Sequence, residues 1–326
     1  MIAPRTVTSS LGIRWTVPPL PVRAVALLAV IGATVIWGSS SVVTKIALTD
    51  VSPTMLAFTR LVLAYVILRP LVARSEGHPA RGLLPALLGL TGFAGFVLLR
   101  NIGLGAAPAS HGSLIEGGAT PALGMLLALA LLAERPSTRR LTGMGTSLVG
   151  VGIAVLPGME GSIRASFGAD SVLLAGTACF ALYTVLGRRA CAEGGSLGVV
   201  VGAMRYGLLI LAPFALAELV ITGVPTLTPV ALSALIYLGA VCSAAAYALW
   251  GYGLSHLAAG QVALLSNLEL VCGIVVAAGL AGEAFAPLQI GGAALVLAGI
   301  WYGTTTVTLP RPMFWRRVHM LPTAAC

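Results

Sequence analysis

The segment ALLSNLELVCGIVVAAGLAGE, residues Ala263–Glu283, decides the fold class of this chain. It is apolar over about the 20 residues that an α-helix needs to cross the hydrocarbon core of a bilayer. One carboxylate, Glu269, nevertheless lies within it. A charged side chain near the bilayer centre opposes insertion by about 2.5–3.5 kcal/mol. The segment therefore predicts a spanning helix whose charge faces the protein interior.

The composition of the whole chain indicates the same environment. Of its 326 residues, 58% are hydrophobic and 9% are charged, and the mean hydropathy is +0.98, whereas about 25% of residues in soluble domains are charged. Because backbone groups in lipid must be satisfied within the protein, the spans are predicted to be helices. We predict an all-α integral membrane protein with ten transmembrane helices: Val25–Ile46, Met55–Val72, Leu83–Leu99, Ala109–Ala133, Leu141–Leu156, Ser171–Leu186, Leu197–Thr222, Pro229–Trp250, Leu257–Ala281 and Leu288–Val307.

The formal net charge of +9 is explained by membrane sidedness. If the N-terminus is cytoplasmic, 14 of the 19 lysine and arginine residues fall on the cytoplasmic side, as the positive-inside rule requires. We therefore expect a multi-pass protein of the cell (inner) membrane with both termini cytoplasmic. The expected partners are the lipid bilayer and a small-molecule substrate, with no nucleic acid, and both a monomer and a homodimer stay open.

The cysteines suggest no special chemistry. There are five of them, an odd number without the paired spacing of a metal site, so neither a disulfide framework nor a metal site is expected. No cofactor is expected. The sequence also has no phosphate-binding loop of the form G-x-x-x-x-G-K-[ST], so ATP is not expected to drive the protein directly.

The second half of the chain repeats the first, which predicts an internal structural duplication. Arg60 in AFTRLVLA aligns with Arg205 in GAMRYGLL at an offset of 145 residues. Further pairs follow at offsets between 144 and 150: Lys45 with Arg189, Gly103 with Gly253, Glu134 with Glu283, Gly143 with Gly292 and Gly150 with Gly299. Glycine runs such as Gly145 to Gly152 are expected to bring helices close together. Because each half holds an odd number of spans, we expect two inverted-topology five-helix repeats around a central cavity.

The expected organisation divides the chain at the ends of these repeats. Residues 24–157 and 170–308 are expected to form the two five-helix repeats, joined by an outer, periplasmic loop at 158–169. Cytoplasmic tails are expected at residues 1–23 and 309–326. Two near-equivalent halves can rock about a central site, an architecture that favours transport.

Four segments occur in a characteristic order along the chain: VIWGSSSVVTK (Val35–Lys45), FTR (Phe58–Arg60), ATPALGMLLALALLAE (Ala119–Glu134) and NLELVCGIVVAAGLAGE (Asn267–Glu283). In this order and repetition, the chain resembles the EamA-type transporters of the drug/metabolite transporter superfamily. The resemblance covers essentially the whole chain outside its tails. It implies a ten-helix permease with a central cavity that exports small metabolites such as amino acids or related compounds.

The chain departs from the family pattern at one step. The family commonly has Leu-Glu-Pro where this chain has Leu268-Glu269-Leu270, and the first half keeps Pro121 but carries Thr120 in place of the glutamate. Because proline breaks the helical hydrogen-bond ladder, we expect a kink near Pro121. The second half has lost that cause of bending.

Polar side chains inside the spans are the candidates for a substrate cavity, because charges in lipid are expected to face the bundle interior. Ser113, Glu116 and Thr120 recur at helical spacing and so share one face of the fourth helix. Gln261 and Glu269 lie about 80° apart on the ninth helix, on the same half of its circumference. These five residues are predicted to line the cavity.

Aromatic residues in the spans have two interpretations. Tyr183, Tyr247, Trp250 and Tyr252, near span ends, either stack on a substrate in the cavity or form the aromatic belt at the membrane interface, and the belt is the usual arrangement. Trp37 is expected in the cavity, because it lies nearer mid-span beside a run of serines that includes Ser40.

The other charged residues of the spans are expected to be structural. Arg60 and Arg205 occupy equivalent places in the two halves, which favours a shared role in tying helices together. Arg100 and Asn101, at the predicted outer end of the third helix, are expected to contact lipid headgroups rather than to form an extracellular gate. Four residues at helix ends are either water-exposed boundary residues or partners in a gate: Lys45, Glu134, Arg189 and Glu283.

Three functions stay open from the sequence. In a secondary exporter, protonation of Glu116 or Glu269 would change the preferred state. For Glu269 a structural role, paired with Arg60 or Arg205 or bonded to freed backbone groups, is the more usual arrangement. A lipid or lipid-linked-precursor flippase could use the same scaffold. An intramembrane serine hydrolase is disfavoured because His111 and Ser113 point about 160° apart on one helix, so we do not expect an enzyme.

Overall fold

Helices make up nearly all of the structured chain. The computed structural model describes residues 5–8, 14–17, 21–74, 80–107, 109–132, 136–155, 167–281 and 287–304. The α-helices of these residues, numbered in chain order, are: α1 (Val22–Gly38), α2 (Ser40–Ala47), α3 (Pro53–Arg74), α4 (Leu83–Leu88), α5 (Phe96–Ala106), α6 (Ala109–Leu132), α7 (Thr138–Val155), α8 (Phe167–Gly194), α9 (Ser196–Thr222), α10 (Pro229–Tyr237), α11 (Ala246–His256), α12 (Ala259–Ser266), α13 (Leu268–Ala281) and α14 (Pro287–Thr304).

Two short strands precede the helices. Strands β1 (Arg5–Thr8) and β2 (Arg14–Val17) pair antiparallel, with Arg5 opposite Val17 and Thr8 opposite Arg14. The sequence predicts a cytoplasmic tail over residues 1–23, and these strands were not predicted. The strands are rich in threonine and valine, whose branched side chains favour an extended backbone.

Seven of the described helical segments are long and apolar enough to cross a membrane: Val22–Ala47, Pro53–Arg74, Leu83–Ala106, Ile115–Leu132, Phe167–Cys191, Ser196–Thr222 and Pro229–His256. The protein is therefore a multi-pass membrane protein. Each helix predicted from the sequence overlaps a described helix. Ten membrane crossings, however, stay a prediction.

Each half of the chain contains a π-helical segment at the same place in the repeat. Gly89–Gly95 lies between α4 and α5, and Leu238–Ala245 lies between α10 and α11, with starts 149 residues apart. Both segments therefore interrupt the third helix of their half. Such π-turns occur frequently at functional sites.

Matched glycines bring α7 and α14 into close contact. A Cβ atom added to Gly143 would lie 2.7 Å from the carbonyl oxygen of Gly299, and one added to Gly150 would lie 2.7 Å from that of Gly292. In the repeat, Gly143 aligns with Gly292 and Gly150 with Gly299. Equivalent residues therefore exchange contacts, as they do across a two-fold axis. The two helices consequently run antiparallel, which is the relation that inverted repeats require.

We expect the α7–α14 contact to tolerate no side chain at these glycines. In Gly150→Ala, the new Cβ atom would meet the carbonyl oxygen of Gly292 and the backbone nitrogen of Val296, each at 2.7 Å. Because backbone atoms cannot move aside locally, we expect a loss of about 1–3 kcal/mol in the free energy of unfolding, measured by denaturation in mixed micelles. Gly152→Ala is the matched control on the same helix, because nothing lies within 4 Å of its Cβ position. Equal stability of the two variants would contradict the expectation.

Candidate functional site

A small cavity lies between the first half (residues 21–155) and the second half (residues 167–304). Its polar lining consists of Ser40, Arg60, Arg100, Glu116, Thr120 and Glu269, and its apolar lining of Trp37, Phe96, Val97, Phe180 and Tyr247. Helices α8, α11 and α13 of the second half contribute Phe180, Tyr247 and Glu269 respectively. The room left for water is about 20 Å³, which is enough for about one water molecule. The side chains therefore nearly fill the cavity in this conformation.

The most extensively bonded charge in the cavity is Arg100 on α5. Its Nε atom donates to Oε1 of Glu116 at 2.6 Å, Nη1 donates to Oγ1 of Thr44 at 3.1 Å, and Nη2 donates to Oγ of Ser41 at 2.9 Å. Arg100 is 3% exposed and Glu116 is 4% exposed. Three helices, α2, α5 and α6, are thus joined by one guanidinium.

The expectation that Arg100 and Asn101 contact lipid headgroups was wrong. The predicted helix ended at Leu99 because the arginine was taken as the end of the apolar span. In the structure, α5 continues to Ala106, so both residues lie inside the segment Leu83–Ala106 and not at its end. Glu116 is the oppositely charged partner that allows the Arg100 charge to lie inside the membrane-spanning segment.

Glu116 and Glu269 both line the cavity, and their helices are in contact one residue further along, where a Cβ atom added to Gly117 would lie 3.0 Å from that of Leu270. Glu269 is 9% exposed. An ionised carboxylate can only accept hydrogen bonds, so a hydrogen bond between two carboxyl groups needs a shared proton. The arrangement can therefore hold one proton between helices of the two halves.

The two arginines at equivalent repeat positions have different surroundings. Arg60 is 4% exposed, lines the cavity, and donates from Nε to Oγ of Ser243 at 2.9 Å. This contact joins α3 to the π-helical segment of the other half, which supports the expected structural role of Arg60. The guanidinium of Arg205 instead lies 5.0 Å from the ring centroid of Tyr206, its neighbour on α9.

The aromatic-belt interpretation was wrong for three residues. Tyr183, Tyr247 and Trp250 are at most 1% exposed and lie in the protein core. They form a cluster with Trp37 and Phe180, in which the Trp37 ring centroid lies 5.3 Å from that of Phe180 and 5.1 Å from that of Trp250. Packing against other rings, rather than position along the span, decides where these side chains lie.

The two π-helical segments anchor this cluster through backbone carbonyl groups. The Trp37 indole donates from Nε1 to the carbonyl oxygen of Cys242 at 2.8 Å, and the Tyr247 hydroxyl donates to that of Gly92 at 2.9 Å. Gly92 and Cys242 lie 150 residues apart, within one residue of the offset between the two segments. Each half therefore supplies a donor to the π-helical segment of the other half.

Of the residues predicted to line the cavity, two lie elsewhere in the structure, and the side chain of a third is outside the described part of the chain. Tyr183 lies behind the cavity wall against Gly92, where a Cβ atom would overlap its ring. Gln261 is buried in α12 and is not among the described lining residues. Ser113 belongs to α6, but its side chain lies outside the described part of the structure. A substrate-binding role for any predicted residue stays a prediction.

The predicted gate residues are only partly described. Lys45 donates from Nζ to the carbonyl oxygens of Leu104 at 3.0 Å and Ala107 at 2.7 Å. It therefore caps the C-terminal end of α5, where a cation is favoured. Arg189 is exposed on α8. Glu134 and Glu283 lie outside the described residues, so a gate stays a prediction.

The helices that carry the two glutamates differ at the proline step. The α-helix continues through Pro121, and the kink expected there stays a prediction. The corresponding helix of the second half is interrupted at Asn267, between α12 and α13. The Asn267 amide is buried and donates to Oγ of Ser147 at 2.8 Å. A buried asparagine, and not a proline, marks the interruption beside Glu269.

A G-x-S-x-G sequence occurs at residues 194–198. Its serine, Ser196, begins α9 directly after α8. The nucleophile elbow of serine hydrolases instead follows a β-strand. The local structure around Ser196 therefore gives no support to a hydrolase.

The fold and the cavity define a multi-pass membrane protein with a buried, charged chamber between two related halves. A model of the EamA-like transporter family matches residues 24–156 and 168–304, which together span most of the chain. The chain belongs to this family. The family indicates a transporter and not an enzyme.

Curated relatives and a solved structure agree with this assignment. The chain is 29% identical to a "Probable terminal-alkyne amino-acid exporter" of Streptantibioticus cattleyicolor, over 84% of this chain and 92% of the relative. It is 28% identical to a "Probable amino-acid metabolite efflux pump" of Salmonella typhimurium, over 82% of this chain and 90% of the relative. A crystal structure of another protein matches with a TM-score of 0.72 at 19% sequence identity, covering 86% of this chain and 96% of that one. The last likeness shows a shared fold.

We expect removal of one charge of the Arg100–Glu116 pair to destabilise the protein more than removal of both. Arg100→Leu leaves the buried Glu116 without its partner, which costs about 3–5 kcal/mol. Arg100→Leu combined with Glu116→Leu replaces the pair with apolar side chains and should recover most of that loss. The measurement is the free energy of unfolding in mixed micelles. A double variant that loses the sum of the two single losses would show that the residues act independently.

Proposed function

We propose that this protein is a secondary transporter of the inner membrane that exports small metabolites such as amino acids by alternating access. In this proposal, ten spans form two inverted five-helix repeats, and both termini are cytoplasmic. The observation that carries it is the buried cavity at the junction of the two halves, where two arginines and two glutamates converge. Charges in a membrane interior mark substrate and ion pathways. The names of the relatives support export.

Contacts between the halves at both ends of the bundle support alternating access. At one end, the backbone nitrogen of Thr228 donates to Oδ2 of Asp50 at 2.8 Å. Hydrogen bonding to Thr228 lowers the pKa of Asp50, so the acceptor is ionised at neutral pH. The other end lies about 33 Å away, the length of helix α3. There, the backbone nitrogen of Ala80 donates to the carbonyl oxygen of Gly198 at 3.0 Å. In this conformation a contact joins the halves at each end, and the side chains nearly fill the cavity.

The Glu116–Glu269 carboxyl pair supports proton coupling. One proton between these groups holds α6 of the first half against α13 of the second half. A substrate ammonium group has the same charge as this proton and would compete for the same carboxylates. Proton release and substrate binding would then be linked, so that inward proton movement drives outward substrate movement.

The first test identifies what is exported. Metabolites in the medium of cells with and without this gene are compared without preselection, and the export of those that differ is measured again with a protonophore. We expect amino acids or related metabolites to accumulate outside, and the protonophore to reduce their export. Export that the protonophore leaves undiminished would exclude proton coupling. If the protein moved lipids across the membrane instead of metabolites, it would be identified as a flippase.

Glu269→Gln is expected to weaken transport driven by a proton gradient while substrate exchange continues. The amide cannot release a proton, so transport driven by a pH gradient into vesicles should fall by at least about tenfold, whereas substrate exchange across equal pH should continue. Glu218→Gln is the matched control, because Glu218 on α9 is not among the described cavity residues. Full gradient-driven transport by Glu269→Gln would assign Glu269 a structural role.

A further inference from the structure

We propose that Arg100, supported by Ser41 and Thr44, is the binding site for the carboxylate of the substrate, and that the Glu116 carboxylate occupies this site when no substrate is bound. The inference rests on the proposed export function and specifies its substrate class. The ligand would be an α-amino acid with an apolar side chain.

The geometry around Arg100 is that of a preformed carboxylate site. The Ser41 and Thr44 hydroxyl groups, each at most 1% exposed, accept from the two Nη atoms and fix the plane of the guanidinium. The Nε edge is bound by one oxygen of a carboxylate, Oε1 of Glu116, at 2.6 Å. A fixed guanidinium matches a carboxylate better than any other protein cation does. The group now in the site therefore has the chemistry of the proposed ligand.

The second half of the chain shows that the fold does not need this ion pair. Arg100 aligns with Trp250 at the offset of 150 that pairs Gly103 with Gly253, and Glu116 aligns with Leu265 at the offset of 149 that pairs Thr120 with Glu269. Trp250 and Leu265 are both buried. The same architecture is thus built with an aromatic ring and a leucine. Because a buried ion pair contributes little net stability compared with apolar packing, a ligand is the better reason for these charges.

The cavity provides an alternative place for Glu116 when a substrate takes Arg100. The Glu269 carboxyl group lines the same cavity as Glu116, and a substrate ammonium group between the two would balance both carboxylates. The rings of Trp37, Phe96, Phe180 and Tyr247 line the remaining wall, which suits an apolar side chain. Once the proton shared by Glu116 and Glu269 has left, Arg60 and Arg100 balance the two carboxylates, so a zwitterion binds in a cavity of zero net charge.

The probes for this site differ only in their charged groups. L-leucine carries both groups, 4-methylpentanoate lacks the amine, and L-leucinamide lacks the carboxylate. Binding to the purified full-length protein in detergent is measured by calorimetry. We expect L-leucine to bind about 10–100-fold more tightly than L-leucinamide, the value of a hydrogen bond to a charged group. In Arg100→Gln, this preference should disappear.

The substitution Glu116→Gln separates a ligand site from a structural pair. If Glu116 competes with the ligand, its removal should tighten the binding of 4-methylpentanoate by about tenfold, and this ligand should raise the melting temperature of the variant more than that of the wild type. If the pair is only structural, the same substitution should weaken binding. Arg100→Lys keeps the charge without the planar fork and should retain part of the preference. If Arg100→Gln does not fold, Arg100→Lys replaces it in this test.

Arg205→Gln is the matched control, because it removes a spanning arginine that is not among the described lining residues. It should keep the preference for L-leucine. Equal affinity for L-leucine and L-leucinamide, weaker binding of 4-methylpentanoate by Glu116→Gln, or no binding of any probe by that variant would overturn the proposal. Proton-driven metabolite export would stand after any of these results. Carboxylate-dependent binding without export would instead contradict the proposed function.

Discussion

A charge can be buried in a membrane helix only if a partner is placed within reach, and in this protein that constraint joins three helices at Arg100. The guanidinium contacts Glu116, Thr44 and Ser41, so the relative heights of α5, α6 and α2 are fixed by one side chain. A shift of α5 by one turn, about 5.4 Å, would separate all three contacts. The cavity lies at this junction, because Arg100 and Glu116 are part of its lining.

The sequence predicts the frame of this protein better than its cavity. Apolar periods and the repeat offsets locate the helices and pair the glycines of α7 and α14, because both features depend on local spacing. The role of Arg100 depends on Glu116, which is 16 residues away along the chain on the next helix, and span length alone cannot show such a pairing. The polar stripe of Glu116 and Thr120 was the available signal, since it required a partner on a neighbouring helix.

The aromatic core and the helix interruptions were harder to predict for a related reason. Tyr247 and Trp250 lie near a predicted span end, yet the π-helical segment Leu238–Ala245 and the helix that continues to His256 place them inside the core. Nothing in the residue pattern distinguishes a π-turn from regular helix, because the extra residue is stabilised by tertiary contacts such as the Trp37 hydrogen bond to Cys242. The interruption at Asn267 likewise depends on Ser147 of the other half.

The distribution of contacts suggests which parts of the frame move. The contacts described at the two ends include single hydrogen bonds, Asp50 with Thr228 and Ala80 with Gly198, each with a net value of about 0.5–1.5 kcal/mol. Alternative conformations of a protein commonly differ by a few kcal/mol, so binding in the cavity can supply enough free energy to open one end. The α7–α14 contact is different, because its matched glycines place backbone against backbone over several turns. Separating these helices would lose close packing that lipid cannot replace, so in the proposed alternating-access mechanism we expect this pair to be the axis about which the two halves rock.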